Sequence, residues 1–101
     1  MIYFDERYNL TKDKKDLGNV KVMIYNFELE KEFHTSKMYI RDMEGSTIKI
    51  IESLWIDKDG IYFQLDDTIE KGNYFFNISL NTEYESIDII YDRELKVLWW
   101  R

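Results

Sequence analysis

The feature that most constrains this chain is its apolar pattern, which recurs every second residue and nowhere sustains the i, i+3, i+4, i+7 spacing of a helix for three turns. A period of two puts successive side chains on opposite faces of a strand, so one face of each segment is available for burial. The residue inventory points the same way. Thirteen Ile, eight Tyr, six Phe, five Thr, three Val and three Trp suit a pleated, half-buried surface, while Ala and Pro are both missing. The sequence predicts an all-β chain.

Glycines and acidic turns divide that pattern into strands. Thr11 to Gly18 is polar and is expected to be a loop, with Gly18-Asn19 closing it. Val20, Val22 and Ile24 then point inward, and the phase slips near Asn26 to Phe27 and Leu29. Lys37 to Asp42 places Met38 and Ile40 inward and Tyr39 and Arg41 outward. After Glu44-Gly45, Thr47 to Ile56 is expected to be one strand with Ile48, Ile50, Leu54 and Ile56 inward. The Asp57-Lys58-Asp59-Gly60 turn leads to Ile61, Phe63 and Leu65, with Gly60 suited to a left-handed or bulge position. Lys71-Gly72 opens an inward set of Tyr74, Phe76, Ile78 and Leu80. Ile87, Ile89, Leu95, Val97 and Trp99 complete it, with a bend or bulge at Tyr91 to Glu94, and residues 1–4 add a short edge strand. Tyr74, Phe76, Ile78, Phe63 and Ile48 are expected to be buried together. Strands at roughly ten-residue spacing predict a single antiparallel immunoglobulin-like β-sandwich of about seven strands, one domain over residues 1–101.

Composition narrows the function. Without Cys there is no disulfide framework, zinc ribbon or cysteine nucleophile, and the single His34 is too little for a His-rich metal site. Twenty acidic against fourteen basic residues leave a net charge of −6, which repels nucleic-acid phosphates and anionic membranes. No stretch approaches the roughly 18 apolar residues of a membrane span. The first ten residues lack a basic region before an apolar block, so the expectation is a soluble protein without a signal peptide, cytoplasmic or virion-associated.

Few motifs carry chemistry. Asp57-x-Asp59-Gly60 opens like a calcium loop, yet Tyr62 to Leu65 supply none of the later oxygen ligands. A hairpin turn, with no metal and no cofactor, is the expectation. Asn77-Ile78-Ser79 matches a glycosylation sequon but falls within a predicted strand. Ser36 lies two residues from His34 with no third member and no oxyanion-type Gly motif, so no catalytic residue is assigned and no enzyme is predicted. What stands out is the outward set: Trp55, Tyr62, Phe75, Tyr39, Tyr25 and Trp100 lie opposite the inward residues. Such side chains offer broad contact area at low entropy cost and are the predicted binding residues.

Gly72-x-Tyr74-x-Phe76 has the arrangement of the tyrosine corner in immunoglobulin-like sandwiches. Over about 60 residues, Lys37 to Val97 resembles the carbohydrate-binding C-terminal domain of ABC transporters that export O-antigen polysaccharides. The matching pieces are Met38-Tyr39-Ile40-Arg41-Asp42 before Gly45, Asp59-Gly60-Ile61-Tyr62-Phe63, Lys71 to Leu80, and Asp92 followed by Leu95-Lys96-Val97. The same stretch is similar to immunoglobulin-like modules of phage tails and baseplates. The first resemblance implies a sandwich that recognises a capping sugar. Two functions are therefore expected: a non-catalytic module binding a polysaccharide or protein partner through outward aromatics, or a small acidic phage-encoded inhibitor of a host nuclease or defence complex. In the second, Glu83, Glu85, Asp88, Asp92 and Glu94 would imitate DNA phosphates.

Overall fold

Alternation along the chain becomes two sheets packed face to face. The computed structural model describes residues 2–23, 35–58 and 60–98. They form nine strands and no helix: β1 (Ile2–Phe4), β2 (Leu10–Asp13), β3 (Gly18–Met23), β4 (Thr35–Arg41), β5 (Thr47–Glu52), β6 (Trp55–Ile56), β7 (Gly60–Leu65), β8 (Gly72–Asn81) and β9 (Ser86–Leu98). The larger sheet runs β1-β2-β9-β8-β4-β5 and the smaller runs β3-β7-β6. Val20, Val22, Ile61, Phe63 and Leu65 from the small sheet meet Met38, Ile40, Phe76, Ile78 and Leu80 from the large one in a single core. Their inward direction is the one the alternation predicts.

The strand count and pairing depart from expectation. Nine strands replace about seven among the described residues, because two segments divide differently. Thr47 to Ile56 is not one strand. Ser53 N–H bonds the Ser36 carbonyl in the large sheet, and Leu54 N–H bonds the Tyr62 carbonyl in the small one, so the chain changes sheets between adjacent residues. The predicted loop from Thr11 contains most of β2, which pairs with β9 in parallel, Leu10 opposite Leu95 and Lys12 opposite Val97. The sandwich is therefore mixed rather than purely antiparallel. Strands some 80 residues apart in sequence are free of the directional limit that a short hairpin imposes.

β5 has the opposite phase to the one predicted. Ile48, Ile50 and Leu54 are exposed, while Lys49 and Ile51 face Ile40 and Met38. A bulge near Ile40 and Arg41 shifts the register, and Lys49 Nζ is held by Asp66 (3.3 Å) and the Thr68 hydroxyl (2.8 Å) at the sandwich rim. Ile48 thus leaves the predicted core group; Phe63, Phe76 and Ile78 remain fully buried and Tyr74 is half-buried. In β9 the expected bulge is present. Asp92 has φ +50°, its N–H bonds Asn77 Oδ1 (3.0 Å), and its carboxylate pairs with Arg41. Asn77 Oδ1 also accepts from Arg41 Nη2 (3.0 Å), so the sequon amide serves as an internal brace. Expected positions at Ile24, Phe27, Leu29 and Trp99 lie outside the described residues.

At the start of β8 the Tyr74 hydroxyl donates to the Glu70 carbonyl, 2.7 Å away, across Gly72. Burial pushes its phenol above the ordinary range, reinforced by the Glu70 and Asp42 charges. Tyr74→Phe removes this one bond and keeps the ring. It is expected to cost about 1 kcal/mol, read from the urea midpoint at unchanged slope.

Candidate functional site

The outer face of the small sheet carries one continuous row. Lys21 of β3 lies opposite Tyr62 of β7, and Tyr62 lies opposite Trp55 of β6. Directly opposed residues on one face bring their side chains together. The Trp55 and Tyr62 rings stack with centroids 4.5 Å apart and planes 25° from parallel, and Lys21 Nζ stands 5.3 Å from the Tyr62 centroid. Trp55 nonetheless keeps 51% of its surface exposed. Asn19 and Gln64 form the neighbouring exposed row.

Asp57 organises the turn beneath this row. Its Oδ1 accepts the Gly60 N–H (2.9 Å), its Oδ2 accepts the Tyr62 hydroxyl (2.9 Å), and Lys21 Nζ stands 3.9 Å from Oδ2. The Asp57 N–H in turn bonds the Gly60 carbonyl at 3.0 Å. Gly60 is required here for close approach rather than for a left-handed backbone: a Cβ would lie 2.9 Å from the Val22 carbonyl and 2.8 Å from Lys21 Cε. The turn is a hairpin, as predicted, and both Asp57 oxygens hold protein donors. Asp59 lies outside the described residues. Among the described residues no group of three or more His, Cys, Asp or Glu side chains gathers as a metal site.

The predicted aromatic set does not form one patch. Trp55 and Tyr62 come together, whereas Tyr39 and Phe75 are half-buried on the outer face of the large sheet, on the far side of the core. There Tyr39 lies between Ile50 and Asn77, and Phe75 lies between Arg41 and Glu94. Tyr25 and Trp100 lie outside the described residues. Lys21, Asp57, Asn19 and Gln64 carry no outward-aromatic signal in the sequence. Their signal is the register of β3 on β7, which alternation alone does not supply.

Other chemistry-bearing candidates are committed elsewhere. Ser36 is fully buried and donates its hydroxyl proton to the Ser79 carbonyl at 2.5 Å. Asp5 caps the β1–β2 turn by accepting the Asn9 and Arg7 N–H groups, and the Asn9 bond above all holds its carboxyl below the usual range. Among the described residues no helix is long and apolar enough to cross a membrane. No family model, curated protein or solved structure matches the chain.

Proposed function

We propose that this chain is a non-catalytic recognition module, an immunoglobulin-like sandwich that binds a polysaccharide on the outer face of its small sheet. One observation carries the reading: Trp55 lies stacked on Tyr62 yet half-exposed, with Lys21 and Asp57 beside it. A ring pair held in place by cross-strand register is a rigid apolar platform, suited to the C–H face of a sugar ring. Asn19 and Gln64 offer amide donors and acceptors to hydroxyl groups along the same face. The Tyr74-to-Glu70 bond across Gly72 supports the immunoglobulin-like assignment, because a hydroxyl returning to the backbone a few residues upstream defines the tyrosine corner.

A glycan array followed by calorimetry on the best-bound polysaccharide tests the proposal. Trp55→Ala is expected to weaken binding by about 2 kcal/mol, roughly 30-fold, as loss of a central aromatic anchor does. Tyr39→Ala on the opposite face is expected to leave affinity within about twofold of wild type. Salt between about 50 and 500 mM should change affinity little, because the stacking rings are neutral and the Lys21 and Asp57 charges beside them offset each other. The acidic-mimic reading predicts the reverse: affinity collapsing with salt and governed by charge reversal at Glu83, Glu85 and Asp88. Asp92 is already paired with Arg41. Wild-type binding by Trp55→Ala overturns the platform.

A further inference from the structure

β5 forms one end of the large sheet, and among the described residues it pairs with β4 alone. Its hydrogen-bonding direction follows from the bonds at either end. Asp42 N–H bonds the Ser46 carbonyl and Ser53 N–H bonds the Ser36 carbonyl. Alternation in an antiparallel ladder then makes Met38–Ile51 and Ile40–Lys49 the pairs that exchange bonds. Ile50 and Glu52 accordingly turn their N–H and C=O groups away from β4, toward the open edge. On the same edge the Ile50 side chain is 53% exposed and Ile48 is 45% exposed.

Exposed strand edges are normally blocked, most often by a lysine on the edge. β5 has one lysine, Lys49, but its ammonium is drawn to Asp66 and Thr68 at the rim, away from the Ile48, Ile50 and Glu52 row. We propose that this edge is a self-association surface, on which β5 of a second copy pairs antiparallel about a two-fold axis through Ile50.

The occupant is a second copy because the strand is complementary to itself in that register. A two-fold perpendicular to the sheet preserves inner and outer faces, so outward residues must oppose outward residues. Centred on Ile50, the pairing sets Ile50 against Ile50 of the second copy and Ile48 against Glu52 of the second copy. Lys49 falls opposite Ile51 of the second copy, and no like charges meet. The outward groups of Ile50 exchange two hydrogen bonds, and those of Glu52 meet Ile48 beside the bulge. Thr47–Glu52 carries one Lys and one Glu, so it is a neutral stretch on a chain of charge −6, where two copies approach with least repulsion. An interface this narrow is far smaller than a standard one, so the dimer is weak, with a dissociation constant on the order of 100 μM.

The natural absence of Cys makes a register test direct. In the full chain, Ile50→Cys treated with a short bismaleimide is expected to crosslink to itself. Glu52→Cys alone should not, whereas Ile48→Cys mixed with Glu52→Cys should. Sedimentation equilibrium from about 10 μM to about 1 mM should show dimer growth in the wild type. Ile50→Lys should raise the dissociation constant at least tenfold, and Tyr84→Lys at the exposed β8–β9 turn should leave it unchanged. Because Ile50 is exposed, thermal melts of its variants are expected to match wild type, so loss of dimer is separable from loss of fold. A wild type that stays monomeric to about 1 mM, or Glu52→Cys self-crosslinking as readily as Ile50→Cys, overturns the proposal.

Discussion

Phe76→Ala is expected to remove about 4 kcal/mol of stability, a large share of the 5–15 kcal/mol that holds a small domain folded. Phe76 is fully buried near the middle of β8, opposite Ile40 on β4, so its ring lies in the core where the two sheets meet. The Phe4 ring from β1 meets it edge-on, centroids 6.3 Å apart at 63°. Truncation therefore opens a cavity and also removes the aromatic contact to Phe4 of β1, a three-residue strand otherwise held by its pairing with β2. The whole-chain urea transition should move to a lower midpoint with the same slope. Phe4→Leu keeps an apolar side chain at the contact and should cost only about 1 kcal/mol. A loss below about 1.5 kcal/mol for Phe76→Ala would mean that the site collapses freely, contrary to a close-packed core.

That core was legible where a strand has one unambiguous phase; Leu10 of β2 and Ile90 of β9, which is buried where Ile89 was expected, were not. In Lys37 to Arg41 and Ile61 to Leu65 the polar residues stand on one parity only, and the structure buries Met38, Ile40, Ile61, Phe63 and Leu65 accordingly. Thr47 to Glu52 offers no such guidance. Ile48, Ile50 and Ile51 fit either face, and the choice is made by contacts distant in sequence, namely the bulge against β4 and the hold of Asp66 and Thr68 on Lys49. Sheet membership was equally hidden, since Ser53 and Leu54 change sheets without a Gly or Pro to mark the break.

The candidate site shows the same division. The outward direction of Trp55 and Tyr62 follows from alternation around Ile56, Ile61 and Phe63. Their meeting depends on β6–β7 register, and the separation of Tyr39 and Phe75 depends on which strands share a sheet. A list of outward residues is thus a property of single strands. A binding face is a property of pairing, and one sequence read strand by strand does not contain it.

Lys12 is the residue whose sequence context is most misleading, and its substitutions separate two costs that usually occur together. Thr11-Lys12-Asp13-Lys14-Lys15-Asp16 has the composition of a solvated loop, yet Lys12 shares the inward parity of Leu10 and is fully buried. Its methylene stem packs as a long apolar side chain would, and Nζ donates to the carbonyls of Asp13 (2.8 Å) and Lys14 (3.1 Å). Burial holds the ammonium below its ordinary value of 10.5, and attraction from Asp66, Asp67 and Asp13 recovers only part of that loss. Lys12→Met keeps the stem volume and removes the charge. The Asp13 carbonyl still accepts from the Asp16 N–H, and Lys14 is half-buried rather than sealed in the core. The variant is expected to be more stable than wild type by about 1 kcal/mol at neutral pH. Lys12→Glu turns a buried carboxylate toward carbonyl oxygens and three acids, and is expected to cost about 3 kcal/mol or more. The pH dependence fixes the cause. Between the lowered folded value and 10.5 the unfolded chain binds more protons at Lys12, so wild-type stability gains on Lys12→Met as pH rises through that interval. The advantage of Lys12→Met should therefore shrink steadily toward pH 10.5 and be fully present below the folded value. Paired urea titrations between neutral pH and 10.5 measure it directly, and a gap that stays constant with pH assigns the difference to packing instead of charge.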